Sequence, residues 1–168
     1  MFSNNLIIVD FPVHLHGQFQ NLASLIEFNL IPTNANCALS ELSAASNAEN
    51  GSAIMVHYLD NPLQEIGYLS AELFKSDLHI AFCSALNVEL EVILISSGFH
   101  GAISVSDSIA HQIQSIKQVQ DGDISFNPKA VSKYILQRKR IPSSGNRAKI
   151  LAVTTKKNNK SYHLYCMD

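Results

Sequence analysis

The 168-residue sequence is short of the residues that most catalytic and metal-binding sites are made from. It has three cysteines, Cys37, Cys83 and Cys166. An odd number at such wide spacing fits neither a disulfide framework nor a metal ribbon, and Cys83, inside an apolar run, reads as a small core residue. No glycine-rich phosphate loop occurs. No Ser-His-Asp or Cys-His order stands out, so an enzyme is not expected, nor is a cofactor or a metal. His14-x-His16 is too isolated to hold a metal without further ligands and reads as part of a surface turn. No apolar stretch is long enough to cross a bilayer. The N-terminus lacks the basic region of a signal peptide, so a cytoplasmic protein is expected. Charge of one sign is also lacking: the formal net charge is -2, which gives no whole-chain footprint for nucleic acid.

What is present is a core. The chain is 46% hydrophobic and 15% charged, unlike a disordered tail. Its length suits one domain and a short appendage. Leu6-Ile7-Ile8-Val9-Asp10 is a continuous apolar run ending in an acid, the pattern of a buried parallel strand. Gly17 to Leu30 carries Phe19, Leu22, Leu25, Ile26 and Leu30 on one helical face, and Pro32 ends it. Asn36 to Leu39 is expected as a short edge strand and Glu41 to Ala48 as a short helix. Ala53 to Tyr58 is the next strand, broken by Asp60-Asn61-Pro62, and Leu63 to Phe74 reads as a helix. The stretch from Leu78 to Leu136 then alternates two further strands, Leu78–Cys83 and Gly101–Val105, with helices at Glu89–Ser97, Ser108–Val119 and Lys129–Leu136. These expectations sum to an α/β protein: a doubly wound, flavodoxin-like (βα)5 parallel sheet with an extra C-terminal helix over residues 1–136. A site is expected at the carboxyl ends of its strands. His57 lies at such an end, where a structural role is the default. Basic residues crowd the chain after Lys133, and a solvated linker over 137–152 is the simplest reading.

The punctuation of these elements resembles a known family. Val9-Asp10 closes the first strand, Pro62 follows the third, Ser84-Ala85 closes the fourth and Gly98-Phe99-His100-Gly101 enters the fifth. Together they look like a response-regulator receiver domain. Gly122-Asp123-Ile124-Ser125-Phe126-Asn127-Pro128, leading to an extra helix, narrows the resemblance to the NarL/FixJ/LuxR group and its divergent CsgD- and VpsT-type biofilm regulators. The resemblance implies a transcription regulator that associates as a homodimer or as a heterodimer with related regulators. It also implies DNA as a partner of the intact parent.

The chemistry of a working receiver does not carry over. Aspartyl phosphorylation needs a carboxylate nucleophile, further acids for a divalent cation and a lysine to neutralise the phosphoryl group. Asp10 matches one of the acids, but Phe11 stands where its neighbour would be. Tyr58 falls at the acceptor position, and Asp60 is two places out of register, its side chain expected to miss the pocket. Val105 takes the lysine position, and Ser84 alone keeps the switch hydroxyl. The expectation is a phosphorylation-independent pseudoreceiver. Relatives of the VpsT type bind cyclic di-GMP through a motif opening on Trp and closing on Arg. Here the matching positions are Ser125, Phe126, Asn127 and Pro128, without either residue, so binding of that nucleotide is not favoured. Phe126 is expected to pack the extra helix onto the sheet, with Asn127 as its N-cap and Pro128 at its first position. Residues 153–168 begin as the family's DNA-binding domain would, with Val153-Thr154-Thr155-Lys156. They then lose the apolar pattern of a recognition domain, as the remnant of a truncated helix-turn-helix start. A reading-frame shift within the codons of Lys156–Asp168 is one origin for that loss. The alternative function is a stand-alone receiver-like interaction and dimerisation module.

Overall fold

A computed structural model describes residues 4–34, 37–38, 53–69, 74 and 78–140. Residues 1–132 form one compact unit; of the second, 133–168, the described part is helical and ends at Arg140. Five strands form one parallel sheet: β1 (Asn4–Val9), β2 (Phe28–Thr33), β3 (Ala53–Leu59), β4 (Leu78–Cys83) and β5 (Gly101–Ser104), in the order β2-β1-β3-β4-β5. The order reverses direction at β1, so the chain is doubly wound, with its switch point between the adjacent ends of β1 and β3. The described α-helices are α1 (Val13–Leu25), α2 (Pro62–Glu65), α3 (Val88–Ser97), α4 (Ile109–Gln120) and α5 (Pro128–Arg140). None of the described helices is long and apolar enough to cross a membrane.

Because successive side chains on a strand point to opposite faces, a strand covered on both sides must be apolar throughout. β1 meets this demand, with Leu6, Ile7, Ile8 and Val9 all buried. Leu6, Ile8, Ile54, Val56, Ile80, Phe82 and Ile103 share one core with Phe19 and Leu22 of α1 and Ile116 and Val119 of α4. Burial of each large side chain there contributes roughly 1.5–3 kcal/mol. Phe82 meets the Phe19 ring edge-on, with centroids 5.0 Å apart. The opposite face is built differently. Ala81, Cys83 and Ala102 pack with Leu94 of α3 and with Phe99, but His57 and His79 occupy buried inward positions of β3 and β4.

Local signals set the helix ends. Asn87 caps α3 by accepting from the Leu90 N–H at 2.8 Å, and Glu89 and Glu91 sit in the first turn, where the helix dipole favours acids. Gly98 ends α3 at φ 103°, a left-handed backbone that suits glycine. Ser108 caps α4 by accepting from the His111 N–H.

Four expected elements are corrected. The helix placed over Gly17 to Leu30 is α1, which starts four residues earlier and ends at Leu25. Glu27 reverses the chain at φ 60°, and Phe28–Thr33 is the second strand. A glutamate in that left-handed turn gives none of the glycine signal a reader looks for. The strand expected over Asn36 to Leu39 is therefore not the second strand; its described residues Cys37 and Ala38 carry no strand pairing. The helix expected over Leu63 to Phe74 is cut short. α2 ends at Glu65, one 3-10 turn covers Ile66–Tyr68, and Leu69 is extended at ψ 127°. Gly67 within that span weakens helix continuation. The last helix, expected to end at Leu136, continues to Arg140 and takes in the first residues of the expected linker. The expected helix over Glu41 to Ala48, the rest of the linker and residues 153–168 lie outside the described residues.

Candidate functional site

The switch point between β1 and β3 opens into a cavity of about 370 Å³, lined by Val9, Asp10, His57, Tyr58, Leu59, Asp60, Glu65, Tyr68 and Leu69. Asp10 follows β1 with φ 57°, a left-handed conformation that aspartate tolerates better than most residues. Its N–H donates to the Thr33 carbonyl at 3.1 Å, fixing the turn against β2. Tyr58 is half-buried near the end of β3, and its O–H donates to Asp60 Oδ1 at 3.5 Å. Asp60 was expected to miss this pocket and instead lines it with Asp10 and Tyr58. Strand alternation stops at Leu59, and the bend that follows re-aims the side chain. Glu65, at the end of α2, accepts from the Asn61 N–H through Oε1 at 3.1 Å. Its other oxygen, Oε2, is buried with no hydrogen-bond partner.

His57 forms the floor. Its Nε2 is hydrogen-bonded to Nδ1 of His79 at 3.0 Å, and the two rings stack with centroids 5.3 Å apart. Phe99 meets the His57 ring edge-on and Phe74 lies over His79. Burial, reinforced by the neighbouring His79, pushes the pKa of His57 down to about 3, so the ring is neutral at physiological pH. His57 Nδ1 is also buried without a partner. The surrounding field is negative. The Tyr58 hydroxyl is held above its ordinary pKa by burial, then by Asp60 and Glu65, and burial together with Glu65 pushes the Cys83 thiol up to about 12.

A second cavity, of about 610 Å³, opens at the other end of the same sheet edge, between β4, β5 and the start of α5. Ser84 lines it, as do all four of Ser125, Phe126, Asn127 and Pro128. The expected phosphorylation pocket is therefore divided. Asp10 and Tyr58 share the first cavity, Ser84 belongs to the second, and Val105, past the end of β5, packs against the α1–α4 core. Ser125 runs alongside β5 in a parallel bridge to Gly101; its N–H donates to the His100 carbonyl and its carbonyl accepts from the Ala102 N–H. Gly101 permits this close approach: a Cβ there would meet Val119 Cγ2 at 3.0 Å and the Ser125 carbonyl at 3.3 Å. Phe126 packs against the core on the α3 face, and Asn127 Oδ1 accepts from the Lys129 N–H at 2.9 Å.

Sequence reasoning missed Glu91, His79 and Glu65. Glu91 is buried on α3, and its Oε2 accepts from the Asn127 N–H at 2.6 Å, thirty-six residues away. A long-range contact of that kind leaves no local signature; the one hint was an acid among the apolar residues of the helix.

The architecture is that of the receiver domain of response regulators. Solved structures of LuxR-family regulators share it. The Salmonella typhimurium RcsB response regulator, solved for its conformational dynamism in DNA interaction, is 19% identical with a TM-score of 0.58 over 80% of this chain and 66% of its own. The regulatory domain of the master biofilm regulator CsgD is 13% identical with a TM-score of 0.58, over 79% of this chain and 99% of its own. A LuxR-family two-component response regulator from Aurantimonas sp. gives 13% identity and a TM-score of 0.61, over 82% and 99%. At these identities the likeness is one of fold. No protein-family model matches the sequence, and no curated protein matches it.

Proposed function

We propose that this chain is the regulatory part of a LuxR-type, CsgD/VpsT-like transcription regulator, and that its receiver works without phosphorylation. The observation that carries the reading is the composition of the switch-point cavity. Tyr58, which the resemblance sets at the acceptor position, lines it, and among the described residues no lysine or arginine lines the cavity to neutralise a phosphoryl group. No group of three or more metal-ligating side chains is placed to hold a cation among the described residues. On this reading DNA is the partner of the intact parent, and the receiver unit associates with itself or with related regulators in the cytoplasm. Incubation with acetyl phosphate and Mg²⁺ is expected to leave the intact mass unchanged. A phosphoryl adduct mapped to Asp60 or Asp10 would overturn the proposal.

A second reading is a stand-alone interaction module. It is favoured by exposed apolar side chains just beyond the carboxyl ends of the adjacent strands β1 and β3: Val13, Leu63 and Tyr68 are 84%, 68% and 88% exposed. A salt-dependent shift of duplex DNA supports the first reading. Concentration-dependent association with no DNA shift supports the second.

A further inference from the structure

The second cavity, of about 610 Å³, falls in the size range of small-molecule sites. Its charged groups are already engaged within the protein. Glu91 accepts from the Asn127 N–H, and Asp107 Oδ2 accepts from the Ser104 N–H at 2.8 Å with His111 Nδ1 3.3 Å away. The Ser104 and Ser106 hydroxyls bond to each other at 2.8 Å. No lysine or arginine lines the cavity, and its two carboxylates make the field unfavourable to phosphate or carboxylate ligands. What stays open to a ligand is neutral. Gln114 and Gln118 line the cavity from α4, both exposed, and their side-chain amides have no hydrogen-bond partner among the described residues. One helical turn separates them, about 5–6 Å between Cβ atoms. Ser84 presents a further exposed hydroxyl just past β4, and the half-buried Phe126 ring supplies apolar wall. A side-chain amide sets an acceptor beside a donor, which matches two neighbouring hydroxyls, since each hydroxyl donates and accepts. Two such amides a turn apart suit a ring with hydroxyls on successive carbons, and the Phe126 face suits its C–H side.

We infer that this cavity binds a neutral sugar of monosaccharide size, whose hydroxyls pair with Gln114, Gln118 and Ser84 and whose C–H face rests on Phe126. The phosphorylation reading rests on the other cavity, so either can fail without the other. Glucose, galactose and mannose are each titrated to roughly 20 mM into the isotope-labelled full chain and followed by NMR. At least one is expected to shift the side-chain amide signals of Gln114 and Gln118 saturably. Gln114→Met combined with Gln118→Met keeps side-chain length and removes both amides. With its backbone spectrum preserved, this variant is expected to bind that sugar about tenfold more weakly, read by saturation transfer to the sugar protons. The phosphate ester of the same sugar at its primary hydroxyl is expected not to compete. No saturable shift with any of the three sugars, or shifts confined to other residues, would overturn the inference. Unchanged binding by the double variant would do the same, as would a sugar phosphate that competes as well as the sugar, which would mark an anion site.

Discussion

His57 shows how one side chain can make the fold sensitive to acid. The folded protein keeps it neutral down to about pH 3, whereas an unfolded chain takes up the proton near pH 6.5. Between those values the unfolded state binds more protons, so stability is complete above about pH 6.5 and falls as pH drops through the window. Urea unfolding is expected to lose about 2 kcal/mol between pH 6.5 and 4.5 through this residue. The loss is read as the difference between the wild-type profile and that of His57→Met, which should be flatter; identical profiles would show that His57 is not the group responsible. Residues such as Asp10 and Tyr58 were placed at strand ends by the sequence alone, because apolar runs and prolines mark where strands stop. The pairing of His57 with His79 was not legible. It joins neighbouring strands twenty-two residues apart, and nothing in either stretch specifies the register that brings the rings together.

At the scale of elements, α5 is held to the sheet through its first turn. Glu91 reaches from α3 to the N–H of Asn127, at the end of α5 where the backbone dipole attracts negative charge. Glu91→Ala leaves that N–H without its acceptor and is expected to cost about 1–3 kcal/mol. Hydrogen exchange should speed up at Asn127 to Val131 before it does in β4; uniform protection across both would show that the contact does not hold the helix. Gly98→Ala is expected to destabilise by about 1 kcal/mol, since its φ of 103° strains any side chain and the new Cβ would lie 3.3 Å from the Phe74 ring; thermal unfolding measures it. Boundaries were legible where chemistry marked them, as with Asn87, Ser108 and Gly98. They were misread at α1, where Leu30 continues the apolar helical spacing of Phe19, Leu22 and Ile26. The contest between helix and strand was settled there by pairing with β1, which a local pattern does not contain.

For the whole molecule, the parallel order of strands was legible because only a two-sided sheet accommodates so many apolar runs separated by helices. The division of the expected pocket into two cavities was not, since it depends on where Ser84 and the segment before α5 settle in space. The outer margins of the sheet carry a further consequence. Asp10 bonds the Thr33 carbonyl, so Thr33 faces β1 and Pro32 beside it presents its backbone outward, with no N–H to offer. On the opposite margin Ser125 already occupies the hydrogen-bonding groups of β5 around Gly101. Among the described residues neither margin offers a newcomer a complete ladder, so the sheet is guarded at both edges against growing into fibres by strand addition.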